Sequence, residues 1–104
     1  MTVRVAIKAS IRDGREDAIV VMTRINARIV EMGGPPSQVY QQLAGDNVGC
    51  GLRLYWDFDN WRDWGASEDA STIDEAFQNL IADVVDPNGP IVVPFERQVY
   101  RSIP

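Results

Sequence analysis

The chain has 104 residues, 45% hydrophobic and 24% charged, with fifteen acidic against ten basic side chains and a net charge of −5. A compact chain of this length buries about 65% of its unfolded surface, which supports one core and hence a single domain over residues 1–104. The acidic balance offers no field to attract phosphate backbones or anionic lipid, so neither nucleic acid nor a membrane is an expected partner.

Two absences narrow the chemistry. With no histidine, a Ser-His-Asp triad, the commonest metal ligand and the usual proximal haem ligand are all excluded. The single cysteine, Cys50, allows no internal disulfide and no Cys-rich metal site, and it fits a reducing, cytoplasmic setting. Apolar runs such as Ala18–Met22 and Ile91–Val93 are far shorter than a membrane span. The N-terminus alternates instead of placing an apolar run after a basic patch, so it does not read as a signal peptide.

In chain order, residues 3–11 place Val3, Val5, Ile7, Ala9 and Ile11 at period two, with Arg4, Lys8 and Ser10 opposite, which predicts a strand with one apolar face. Asp13-Gly14 ends it. From Arg15 to Met32 the residues Ala18, Met22, Ile25, Ile29 and Met32 recur at steps of three and four, which predicts a helix stopped by Gly33-Gly34-Pro35-Pro36. Ser37 to Ala44 alternates as a second strand. Gly45-Asp46-Asn47 supplies a hairpin turn, and Val48 to Phe58 gives the most sustained alternation in the chain. Asp59 is a plausible N-cap for a short helix carrying Trp61 and Trp64. A second helical stretch is expected from Ser71 or Thr72, with Asp74 and Glu75 in its first turn and Ile73, Phe77, Leu80, Ile81 and Val84 as its stripe. After the break at Asp86–Pro90, a last strand runs from Pro94 to Ile103, with Arg97 and Arg101 sharing the parity of Phe95, Val99 and Ile103.

This order predicts an α+β, ferredoxin-like β-α-β-β-α-β domain with a four-stranded antiparallel sheet and the helices on one face. By parity the other face carries Arg4, Lys8, Tyr40, Gln42, Arg53, Tyr55, Asp57, Glu96, Gln98 and Tyr100, which include all three tyrosines. Tyrosine rings gain by burial while their hydroxyls need partners, so something is expected to pack there, and a second copy is the simplest cover.

The layout, the run Trp56-Asp57-Phe58-Asp59-Asn60-Trp61, the Trp-bearing helix after it, the segment Asp74–Leu80 and the closing Ser102-Ile103-Pro104 resemble the dimeric α+β barrel superfamily. Within it the chain is most similar to small NIPSNAP-like and antibiotic-biosynthesis-monooxygenase-like domains. The resemblance implies a homodimer with sheets face to face. It also implies a small-molecule cavity, either between the helix layer and the sheet or inside the barrel. Such families include cofactor-free oxygenases of aromatic polyketide-like substrates, cyclases, isomerases, haem enzymes and non-catalytic dimers. An Asn-x-x-Trp signature resembles the monooxygenase branch; here Trp64 follows Asn60 by four positions, so that spacing is not met.

The residues themselves leave two readings open. Arg4, Lys8 and Arg53 would hold an enolate, phenolate or carboxylate, or would make solvated or intersubunit ion pairs. Tyr40, Tyr55 and Tyr100 would donate to a carbonyl or stack on an aromatic substrate, or would pack a dimer interface. Asp57 and Glu96 are the candidate bases, with salt bridges to Arg4 or Arg53 as the alternative. Gln42, Gln98, Trp61 and Trp64 are further candidates for substrate contact, Trp56 with Trp61 and Trp64 either walls an apolar pocket or belongs to the core, and Cys50 reads as a small buried hydrophobe. The scattered acids predict no metal site, and no cofactor is expected. The expected activity is a cofactor-independent oxygenase or cyclase/isomerase acting on a small, hydrophobic, oxygenated substrate. The alternative is a non-catalytic dimeric module that binds a ligand or a protein.

Overall fold

In the computed structural model, which describes residues 1–44 and 51–103 and the side chains of all of these but 93–95, seven elements form. They are β1 (Val3–Ile11), α1 (Asp17–Glu31), β2 (Gln38–Gln41), β3 (Gly51–Phe58), α2 (Trp61–Ile73), α3 (Glu75–Val85) and β4 (Ile91–Arg101). The four strands make one antiparallel sheet in the order β2-β3-β1-β4. This is the ferredoxin-like α+β architecture, and the parity of the apolar residues dictates it. Val3, Val5 and Ala9 on β1 and Leu52, Leu54, Trp56 and Phe58 on β3 are buried on one face, against Ala18, Met22 and Ile25 of α1 and Val84 of α3. Non-directional burial of that surface is the main favourable contribution to the fold.

Local chemistry sets the element ends. Gly33 adopts φ 89°, the left-handed conformation that closes a helix, while Met32 N–H donates to Arg28 O and Gly34 N–H to Ile29 O. The hairpin of β2 and β3 closes where Gln42 N–H donates to Gly51 O at 2.9 Å; the predicted turn at Gly45-Asp46-Asn47, and with it Val48, Gly49 and Cys50, lies outside the described residues. The register of β1 against β4 shifts between Lys8 and Ser10, opposite the stretch that includes Pro94, which has no N–H to give a ladder.

The largest departure from the sequence reading is in the helix pair. The N-cap of α2 is Asn60, not Asp59: its side chain accepts from Asp63 N–H at 2.9 Å. This helix is not short. It continues through Ser71 and Thr72, the expected start of the next helix, as far as Ile73. Asp74 interrupts the pair with extended backbone and caps α3 by accepting from Phe77 N–H at 2.7 Å. Ile73, expected in the apolar stripe, therefore falls at the junction and is 85% exposed. Asp74 also receives both prongs of the Arg28 guanidinium from α1, so one carboxylate ties together the end of α1 and the start of α3. Those hydrogen bonds, first from Arg28 and then from the Phe77 backbone, hold its carboxyl down at about 2. The other strands differ only in extent: β2 is shorter than 37–44 and β4 begins three residues before Pro94.

Candidate functional site

The sheet turns two chemically different faces to its surroundings. On the face away from the helices, the register sets Asp57, Arg4 and Tyr100 in one row, Gln38, Tyr55, Ala6 and Gln98 in the next, and Tyr40, Arg53, Lys8 and Glu96 in a third. The parity reading of that face holds for its strand residues, and Gln42, just past the end of β2, reaches the same face through Arg53.

Most of these side chains are engaged with each other. Arg4 reaches Asp57 with two prongs, Nε to Oδ1 at 2.8 Å and Nη2 to Oδ2 at 2.9 Å. Its guanidinium also lies 4.9 Å from the centroid of the Tyr55 ring, a cation–π distance. Tyr55 meets Tyr40 edge-on at 5.7 Å. Arg53 donates to Gln42 Oε1 at 3.1 Å, and the Tyr100 hydroxyl donates to Gln98. The hydrogen bonds from Arg4 hold the Asp57 carboxyl below its ordinary value, and a carboxylate stabilised in its ionised form is a poorer proton acceptor. Tyr40 and Tyr100 remain about half exposed, at 54% and 51%. This face offers a broad polar surface with half-exposed rings.

On the opposite face a cleft of about 330 Å³ opens between the sheet and the helices. Its floor is Val5 and Ile7 of β1 with Trp56 and Phe58 of β3; α1 contributes Met22, Ile25 and Ile29, and α3 contributes Phe77, Ile81 and Val84. A volume in the range of small-molecule pockets, with apolar walls and a few polar groups, is the usual form of a ligand site. The polar groups come from two elements: Ser67, Glu68, Ser71 and Thr72 of α2, and Arg97 of β4. Arg97 lies beside Ile7 in the register, so its side chain takes the helix-facing parity, and its Nη2 meets Glu68 Oε1 at 2.7 Å. Both side chains keep roughly two-fifths of their surface in contact with solvent, 42% and 39%.

No residue singled out as a candidate catalytic or substrate contact is among those lining this cleft. Trp61 and Trp64, expected to contact substrate, meet edge-on at 5.4 Å on α2. Trp61 is exposed and Trp64 packs against the core; of the three tryptophans weighed as walls of an apolar pocket, Trp56 lines the cleft. The sequence reading missed Arg97, Glu68 and the α2 hydroxyls. A signal for Arg97 was present: a cation sharing the parity of the apolar residues of its strand.

A second hollow, of about 420 Å³, lies beside Gly33, Gly34 and Pro35 and is lined by Asp57, Asp59 and Asp63. Among the described residues no group of three or more acidic or cysteine side chains is arranged to hold a metal ion. Among them, too, no helix is long and apolar enough to cross a membrane.

No protein-family model matches the chain, and no curated protein matches it in sequence. Solved structures do match in fold. A NIPSNAP domain protein from Burkholderia xenovorans superposes with a TM-score of 0.76 at 14% identity, over 99% of this chain and 95% of that one. SnoaB, a cofactor-independent oxygenase from Streptomyces nogalater, gives 0.72 at 9% identity, over 97% and 92%. A candidate antibiotic biosynthesis monooxygenase from Nitrosomonas europaea gives 0.71 at 12% identity, over 98% and 90%. The chain thus has the ferredoxin-like fold of the NIPSNAP-like and antibiotic-biosynthesis-monooxygenase-like domains along essentially its whole length.

Proposed function

We propose that this chain binds a small, hydrophobic, oxygenated molecule in the cleft between helices and sheet and acts on it as a cofactor-independent biosynthetic enzyme. The observation that carries the reading is an apolar cleft of about 330 Å³ with one guanidinium, that of Arg97, among its walls. A cation beside an apolar surface stabilises an anion that forms next to it, the more so where a bound ligand displaces the water around the pair. The matching substrate is an acidic phenol or 1,3-dicarbonyl whose aromatic or polyketide-like body fills the cleft and whose oxygen faces Arg97.

From such an anion two outcomes are open. Transfer of electrons to dioxygen gives oxygenation with the substrate as reductant: at the activated carbon two C–H bonds give way to a C=O bond, one oxygen atom entering the substrate and the other leaving with the two hydrogens as water. Attack of the carbanion on an internal carbonyl gives cyclisation, a carbon–carbon bond forming while the carbonyl oxygen takes up a proton. That SnoaB is a cofactor-independent oxygenase on the same fold favours the first. Turnover that stops without dioxygen supports it, and turnover that continues anaerobically leaves cyclisation.

The binding step is tested by calorimetric titration of aromatic carboxylates into the wild type and into Val84→Phe, which puts a ring into the cleft wall. Binding that the variant abolishes supports the reading; binding that it leaves intact refutes the site.

The polar face has a separate role in this proposal. Its half-exposed Tyr40 and Tyr100 suit an isologous contact in which two sheets cover each other in a cytoplasmic homodimer. Sedimentation that shows a monomer at micromolar concentration refutes the dimer without touching the cleft. If the dimer forms and the cleft binds nothing, the non-catalytic interaction module is the reading left standing.

A further inference from the structure

The Arg97–Glu68 contact differs from the other pairs that join separate elements of the protein. Arg4–Asp57 and Arg28–Asp74 are two-pronged, each guanidinium meeting both oxygens of its carboxylate. Arg97 and Glu68 approach to 2.7 Å, Nη2 to Oε1, without the two-pronged hydrogen bonding of those pairs. A guanidinium has five N–H groups arranged as a fork, so a pairing without that form uses less of its capacity.

Glu68 projects from α2, and none of that helix's thirteen residues is buried. The helix carrying the carboxylate is thus held by partly buried contacts such as that of Trp64 with the core. With both side chains in contact with solvent, such a pair contributes little to stability, about 0.2–1 kcal/mol for exposed ion pairs in general. Both residues line the cleft. An anion on a ligand in the cleft would meet the same guanidinium with both its oxygens, over an apolar floor from which the ligand has displaced water.

We propose that Glu68 is a built-in competitor for the ligand's anionic group: it occupies Arg97 while the cleft is empty and is displaced when an anion enters. This rests on the reading of the cleft as a ligand site and adds what governs entry. A neutral molecule of the same shape leaves the Arg97–Glu68 contact in place and gains only apolar burial. A carboxylate or enolate breaks the contact and replaces it with a two-pronged one. Glu68 thus sets how strong an anion must be to bind, and Arg97 sets the preference for anions.

The experiment is calorimetric titration of 2-naphthoate and of its neutral isostere 2-naphthamide into the wild type, Glu68→Gln, Glu68→Ala and Arg97→Gln, each checked by circular dichroism for native structure. With the competitor removed, both Glu68 variants bind 2-naphthoate about two- to fivefold more tightly, the fold-change equivalent to an exposed ion pair. Their affinity for 2-naphthamide stays at the wild-type value. Arg97→Gln loses the preference for the acid over the amide. Affinity for 2-naphthoate that is unchanged or lower in both Glu68 variants, with both probes still bound, overturns the competitor role and leaves the ligand site standing. Failure of both probes to bind any of the proteins overturns the ligand site and the competitor role together.

Discussion

If the cleft is open space in solution, filling it stabilises the protein, whereas the same substitution in a packed position does the opposite. Val84 on α3 lines the cleft and is 5% exposed; Leu54 on β3 is fully buried and is not among the residues lining it. Val84→Phe adds about four side-chain carbons at a site with room for them. At roughly 0.8 kcal/mol per buried methylene the ceiling is about 3 kcal/mol. Ordering the ring and its imperfect fit take back part of this, leaving a gain of about 0.5–1.5 kcal/mol. Leu54→Phe adds about three carbons where neighbours already touch, and overpacking of that kind costs about 1–3 kcal/mol. Valine, leucine and phenylalanine differ too little in backbone propensity to reverse either sign. Urea unfolding measures both changes through the transition midpoint, provided the slope is unchanged. A Val84→Phe variant destabilised as much as Leu54→Phe would show that the helices close onto the sheet in solution, and the ligand site would go with the cleft.

Three further outcomes follow from the same geometry. The Asp74 carboxyl is held at about 2 against an ordinary value of 3.8, so its ionised form contributes fully above about pH 4 and that contribution is lost as pH falls through about 2. Between those limits the melting temperature of the wild type falls more steeply than that of Asp74→Asn, and parallel curves refute the linkage. Asn60→Ala removes the side chain that caps α2 and costs about 1 kcal/mol in urea unfolding; no change would mean that the first turn of α2 frays in solution. Gly33→Ala, at φ 89° with nothing within 4 Å of an added Cβ, costs about 1–2 kcal/mol from backbone conformation alone, and a neutral result would show that the end of α1 relaxes into another turn.

How much was legible follows from which signals are periodic. The two-residue alternation of β1 and β3 determined the faces, and the register confirms it down to Arg4 beside Asp57 and Tyr40 beside Arg53. The stripe of α1 and the Gly33 stop were equally visible. The first turns of α2, with Trp61 and Trp64, were expected, but its extension was not, because from Ala66 to Thr72 the chain is small or polar at every position and no apolar period marks it. It is held through its Asn60 cap and through Gln78, which donates to Ser71 O at 2.7 Å, and these are contacts that local patterning does not encode. Since the unexpected part of α2 supplies Ser67, Glu68, Ser71 and Thr72 to the cleft, one wall of the cleft was not legible in the sequence.

The polar face of the sheet and the cleft on its other side differ in what they could offer a ligand. A face crowded with arginines, tyrosines and carboxylates attracts attention, yet those groups are largely matched to each other: Arg4 to Asp57 and Tyr55, Arg53 to Gln42 and Tyr100 to Gln98. Matched groups have little interaction left to offer a ligand. A binding site needs the reverse, an apolar volume that is not filled and a polar group whose pairing is incomplete. In the proposed site the first is the space above Val5 and Trp56 and the second is Arg97, whose ion pair with Glu68 lacks two-pronged hydrogen bonding. In sequence the first was an open reading, Trp56 being weighed as a pocket wall or a core residue, while the second appears only as a cation on the apolar parity of β4. Under the proposed function, Arg97, a cation on the helix-facing parity of β4, is the group the cleft would offer an anion, whereas the polar face has already paired most of its own groups with each other.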